Sequence, residues 1–131
     1  MNATQSAQIT EFLSREIPGL MGVYLFGSRA GGTANAESDF DIAILTERPG
    51  MLDGMRRFEL GLELGEILGS TVDMVDLQAA QTDFRFVIIS TSERIYCRDM
   101  YFCDFFEMTA YSLFQDLELF RREIIEDIKK R

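Results

Sequence analysis

Between Tyr24 and Leu45 two apolar runs are joined by small and polar residues, and two aspartates open the second run. The stretch reads Tyr-Leu-Phe-Gly-Ser-Arg-Ala-Gly-Gly-Thr-Ala-Asn-Ala-Glu-Ser-Asp-Phe-Asp-Ile-Ala-Ile-Leu. The first run, Val23 to Phe26, stops at Gly27-Ser28. Both runs are rich in β-branched and aromatic residues and are bounded by turn signals, which predicts two strands. Residues two apart in a strand share a face. Asp39 and Asp41 therefore point the same way, with Ala43 and Leu45 behind them, while Phe40, Ile42 and Ile44 point into a core.

Two carboxylates side by side repel unless a positive group stands between them. No nearby Lys or His offers itself, and neither Arg29 nor Arg48 is placed there by the spacing. A divalent metal is the better partner. Hard oxygen ligands that leave the shell incomplete suit Mg²⁺, which keeps waters and accepts substrate phosphates. The Gly27-Ser28 turn supplies the other half. Glycine lets the backbone approach a phosphate, and the Ser28 hydroxyl with nearby N–H groups can donate to it. A phosphate cradle opposite a carboxylate pair describes a nucleoside-triphosphate site. The loop lacks the Lys-Ser/Thr ending of a P-loop and a full Gly-x-Gly-x-x-Gly, which excludes those two nucleotide motifs.

Gly27-Ser28, ten further residues, then Asp39-Phe40-Asp41 resembles the Gly-Ser-x10-Asp-x-Asp signature of the DNA polymerase beta-like nucleotidyltransferases. Leu25-Phe26 before the glycine and Ser38 before the first aspartate match as well. The similarity runs over nearly the whole chain. It points to the minimal nucleotidyltransferases, in particular the antitoxins of bacterial HEPN/minimal nucleotidyltransferase toxin–antitoxin pairs. The resemblance implies an α/β (α+β) fold, a small mixed sheet flanked by helices with a long C-terminal helix. It implies Gly27, Ser28, Arg29 and Ser38 as nucleotide-binding residues. It also implies Asp39, Asp41 and Asp73 as catalytic and metal-binding carboxylates, with two Mg²⁺ ions and ATP as substrate. One departure stands out: Gly31 occupies the place where many relatives carry a second Arg, so any phosphate-holding role of that Arg is missing here.

With 131 residues, a single domain over 1–131 is expected, long enough for a real core. Apolar content of 47% with mixed charge predicts a globular protein rather than a disordered one. A formal net charge of −9 disfavours direct binding to nucleic acid, which needs Lys and Arg on phosphates. It suits a basic protein partner or simple solubility. Cys97 and Cys103 have no zinc-site spacing and read as ordinary reduced thiols. The chain has no histidine, which removes Ser-His-Asp and Cys-His catalysis. No signal peptide and no long uncharged apolar run is visible, so a cytoplasmic location without membrane contact is expected.

Ala3 to Ile17 holds Ile9, Phe12, Leu13 and Glu16 at helical spacing, with Thr4 or Ser6 as cap and Pro18-Gly19 as stop. Met21 to Phe26 is the first strand, and Thr46 to Gly50 is a loop. Met51 to Leu68 is a helix in which Gly61, Gly65 and Gly69 fall on one face, read as close packing on the sheet. Thr71 to Leu77 is the third strand. Its Asp73 sits among apolar residues, where a carboxylate is costly unless paired or metal-bound. Asp76 is the competitor, but alternation sends it to the opposite face, so Asp73 is preferred as third carboxylate. Gln78 to Ser92 is a buried helix and Glu93 to Arg98 an edge strand. Asp99 caps a long helix from Met100 to Lys130, either one helix or two in line. Its broad apolar face, with Phe105, Phe106, Tyr111, Phe114, Phe120, Ile124 and Ile128, is more than a small sheet easily covers. Core packing and, for part of it over about 99–130, partner docking are both open readings.

The three carboxylates would hold two Mg²⁺ against ATP, and an attacking hydroxyl would displace pyrophosphate. A chain this small has no room for a large substrate domain, which favours a protein partner that completes the site. The resemblance implies transfer of AMP from ATP to a tyrosine of a cognate HEPN ribonuclease toxin, which silences it. The alternatives are an antitoxin that acts by docking alone and a small-molecule nucleotidyltransferase of the aminoglycoside-modifying kind.

Overall fold

The computed structural model describes residues 2–27 and 39–131. Among the described residues four strands and four helices follow in the order α1 (Ala3–Glu16), β1 (Leu20–Phe26), β2 (Phe40–Thr46), α2 (Gly54–Leu68), β3 (Val72–Asp76), α3 (Thr82–Thr91), β4 (Glu93–Cys97) and α4 (Met100–Lys129). The strands form one mixed sheet in the order β3-β2-β1-β4. β1 pairs antiparallel with β2 and with β4, and β2 pairs parallel with β3.

Period-two alternation sends the central strands' side chains into two cores. Val23, Leu25, Phe40, Ile42 and Ile44 meet Ile9, Phe12 and Leu13 of α1 and Leu60 and Leu64 of α2. Tyr24, Ala43 and Leu45 meet Ile88 and Ile89 of α3 and Cys103 and Ala110 of α4. Strands buried on both faces read as near-continuous apolar runs, which is why Ala43 and Leu45 are as deeply buried as Phe40. The α4 layer is fastened by a polar link: the Tyr24 hydroxyl donates to Glu107 at 3.0 Å, and Arg94 pairs with Glu107 and Asp104. Burial, then the Glu107 charge, pushes the Tyr24 phenol far above its ordinary range.

Several boundaries differ from the sequence expectation. α1 is capped by Asn2, whose side chain accepts from Gln5 N–H at 2.8 Å while Gln5 returns a bond to Asn2 N–H. This reciprocal box satisfies two free donors at once, which neither Thr4 nor Ser6 does. α2 begins only after Asp53, whose carboxylate accepts from Arg56 N–H at 2.7 Å, so Met51 and Leu52 precede the helix. α3 starts at Thr82, because residues 77–80 form a turn held by Asp76 and by Arg85, which donates to the carbonyls of Leu77 and Gln78. Gly61 and Gly65 do pack closely: a Cβ on Gly65 would lie 2.9 Å from the Ser70 carbonyl oxygen, and one on Gly61 3.4 Å from that of Val72. Gly69 instead ends α2 in the left-handed conformation.

α4 is a single helix of 30 residues capped by Asp99. Of its apolar stripe only Cys103 and Ala110 are fully buried. Phe114 stacks on Phe86 with ring centroids 3.8 Å apart, whereas Phe105, Phe120, Ile124 and Ile128 are exposed. The expectation of core packing therefore holds for one face of the helix's first half only. Among the described residues no helix is long and apolar enough to cross a membrane.

Candidate active site

Asp41 is the second residue of β2, and its neighbours on both sides are set by the sheet. Across the antiparallel pair it faces Phe26, the residue before Gly27. Across the parallel pair it faces Asp73 of β3. Adjacent strands lie about 4.8 Å apart, so Gly27 and Asp73 flank Asp41 on opposite sides. Gly27 has φ +73° and approaches so closely that a Cβ there would fall 2.1 Å from Asp41 Oδ2. The end of β1 thus presses bare backbone against the carboxylate.

The electrostatics follow from this placement. Burial first, then the Asp73 charge, then the Asp39 charge, hold the half-buried Asp41 carboxyl above its ordinary range. Of the three carboxylates expected from the sequence, Asp73 and Asp39 thus each act on Asp41. The burial expected for Asp73 is not found. β3 is an edge strand, and Asp73 and Asp39 are both exposed. The buried acid of β3 is Asp76, 4% exposed, which accepts the Gln78 backbone N–H at 3.0 Å. Register places it opposite Ile44 at the strand's end, where its work is to hold the turn.

Hard carboxylate oxygens, too few to complete a coordination shell, are the donor set expected for Mg²⁺ with substrate phosphates as further ligands. The fit is of donor chemistry and adjacency only. Among the described residues no three His, Cys, Asp or Glu side chains stand close enough to hold one ion; Asp73 stands beside Asp41 across the strands, and Asp39 precedes β2. Ser28, Arg29 and Ser38 lie outside the described residues. The thiols offer no alternative chemistry: Cys97 and Cys103 are free, and burial, then Cys97, pushes the Cys103 thiol up to about 12.

Two grooves meet at Asp73. One, about 530 Å³, is lined by Asp39, Arg57, Phe58, Gly61, Leu62 and Asp73, among others. The other, about 400 Å³, runs towards α3 past Arg57, Asp73, Asp76 and Phe84. Arg57 borders both and was not singled out by the sequence. The available signal was the pair Arg56-Arg57 at the start of α2. Arg56 faces Glu59 and Glu63 on its own helix and Glu16 on α1, and successive helical residues diverge by 100°, which turns Arg57 away from that network.

A family model described as "Polymerase beta, Nucleotidyltransferase" matches residues 7–101. The chain is 33% identical over 128 residues to the protein adenylyltransferase MntA of Shewanella oneidensis, covering 98% of this chain and 90% of that relative. Among solved structures, a chain from a toxin–antitoxin with AMP-PNP superposes with a TM-score of 0.82 at 33% identity, covering 95% of this chain and 98% of that one. A chain from the complex of tri-AMPylated Shewanella oneidensis HEPN toxin with MNT antitoxin gives a TM-score of 0.80 at 30% identity, covering 98% and 99%.

Proposed function

The chain belongs to the polymerase beta nucleotidyltransferase family, and on that premise we propose that it is an antitoxin that transfers AMP from ATP to a tyrosine of a HEPN ribonuclease toxin. The observation that carries this reading is the adjacency of Asp41 and Asp73 across β2 and β3 beside the bare backbone of Gly27. A module that only docks gains nothing from like charges held together. The match over nearly the whole chain to a protein adenylyltransferase supports a protein acceptor over a small molecule. By analogy with the relative's tri-AMPylated toxin, the transfer is repeated on the acceptor.

The residues divide the work by position. Asp39, Asp41 and Asp73 would hold two magnesium ions, which supply charge neutralisation at the entering and leaving oxygens. Gly27 and Ser28 would position the nucleotide's phosphates, with Arg29 and Ser38 as further nucleotide-binding residues. Asp73, on the flank away from Gly27, takes the acceptor's proton. The tyrosine oxygen forms a bond to the α-phosphorus, the bond to the β-phosphate oxygen breaks, and pyrophosphate leaves with the electron pair.

Intact-mass analysis of the HEPN partner after incubation with this chain, ATP and Mg²⁺ tests the proposal. Mass gains of whole AMP units are expected, and none with Asp41→Ala. A stable complex without any mass gain would shift the reading to docking alone.

Docking itself falls to α4, whose exposed Phe120, Ile124 and Ile128 recur at helical spacing beyond the sheet. Phe120→Asp is expected to leave the melting temperature unchanged and weaken the toxin complex at least ~10-fold. Phe114→Asp, which breaks the stack on Phe86, is expected to destabilise the fold by about 2 kcal/mol. Thermal melts and a titration of the toxin separate the two, and equal effects on stability would sink the assignment of faces.

A further inference from the structure

Among the described residues β3 pairs only with β2, which leaves it at the edge of the sheet, and both grooves at Asp73 are lined by its residues. Arg57 borders both, as Asp73 does. Among the described residues it makes no ion pair, although the chain carries 22 acidic side chains against 13 basic ones. Its neighbour Arg56 is shared by three glutamates. Each groove that Arg57 borders also carries an exposed aromatic ring, Phe58 in the first and Phe84 in the second.

An acceptor that already carries AMP differs from a bare tyrosine in one respect that matters here. It brings a negative phosphodiester towards three carboxylates, and like charges oppose its approach. Among the described residues, the cation that lines both grooves with Asp73 is Arg57. A guanidinium binds phosphate oxygens through two parallel N–H donors, and exposed aromatic faces suit an attached adenine. Resting on the transferase reading, we propose that the β3 edge is the acceptor subsite and that Arg57 binds the phosphate of an AMP already attached, serving the second and later transfers rather than the first. In each later round a hydroxyl of the attached adenylyl unit is the nucleophile. Its oxygen bonds to the α-phosphorus of a new ATP, its proton passes to Asp73, and pyrophosphate leaves with the electron pair of the broken bond.

The test is a time course of intact mass on the HEPN toxin with ATP and Mg²⁺, using the wild-type chain, Arg57→Ala and Arg57→Lys. With Arg57→Ala the first AMP is expected within about 3-fold of the wild-type rate, and the second and third at least ~10-fold slower, the scale of a lost charge-assisted contact. Arg57→Lys should recover part of the later steps, because the charge remains while the paired donors are lost. Equal slowing of every step, an unchanged series, or a wild-type series that stops at one AMP overturns the inference while leaving the transferase reading in place. A wild-type chain that adds nothing overturns both.

Discussion

Asp41→Asn is expected to abolish transfer, lowering its rate by about 10³-fold or more, while raising the melting temperature. The two effects have one cause. Asp41 feels the charges of Asp73 and Asp39 and is half-buried, and each of these influences lifts its carboxyl above the ordinary range. A folded-state value above the unfolded one means that the native protein binds this proton more readily. The group is therefore least harmful below the unfolded value, about 3.9. Its cost appears as pH rises through the interval up to the folded value, and persists in full at neutral pH. Asparagine keeps the shape and removes the charge. In melts without divalent ions the variant should match the wild type near pH 3.5 and exceed it by about 2–4 °C at pH 7. A variant less stable than wild type at pH 7 would show that Asp41 has a stabilising partner, and the picture of repelling carboxylates would fall. The mass assay on the same protein reads the catalytic half.

What could be read from the residues, and what could not, divides along physical lines. Alternation sets Asp41 and Asp73, paired in register, on one face, because a strand's period of two leaves a side chain only two choices, while Asp39 stands just before β2. It could not tell that β3 lies at an edge, and so the burial argued for Asp73 belongs to Asp76. The family signature pointed to Gly27 as a close-approach position, and the positive φ beside Asp41 is the local form that takes. The amphipathic face of α4 was legible, but a stripe reports which residues align, not whether anything covers them. Phe114 found Phe86, while Phe120 stays exposed. The start of α1 was read correctly but its cap was not, Asn2 taking the place of Thr4 or Ser6, and the start of α2 was misplaced because Asp53 caps it after the apolar Met51 and Leu52. Arg57 left almost no trace, since its place depends on how α2 is rolled against β3.

Gly27→Ala separates the geometry of Asp41 from its charge. At φ +73° an L-residue costs about 1 kcal/mol relative to glycine. The new methyl group would also sit 2.1 Å from Asp41 Oδ2 and 3.0 Å from its Cγ, well inside van der Waals contact. The aspartate is short and half-buried, with Asp73 on its far side, so the carboxylate has to turn away from Gly27 by an ångström or so. Displacements of that size cost about 10²-fold in rate when the moved group positions the reacting atoms. The expected outcome is a loss of transfer of that order with a melting temperature lowered by about 3 °C, opposite in sign to the change at Asp41→Asn. Both substitutions silence the same carboxylate, one by removing its charge and relieving repulsion, the other by moving it and adding strain. If Gly27→Ala melts lower yet transfers AMP within about 3-fold of wild type, the rotation of Asp41 is immaterial to the chemistry and the closeness of β1 to this acid serves the fold alone.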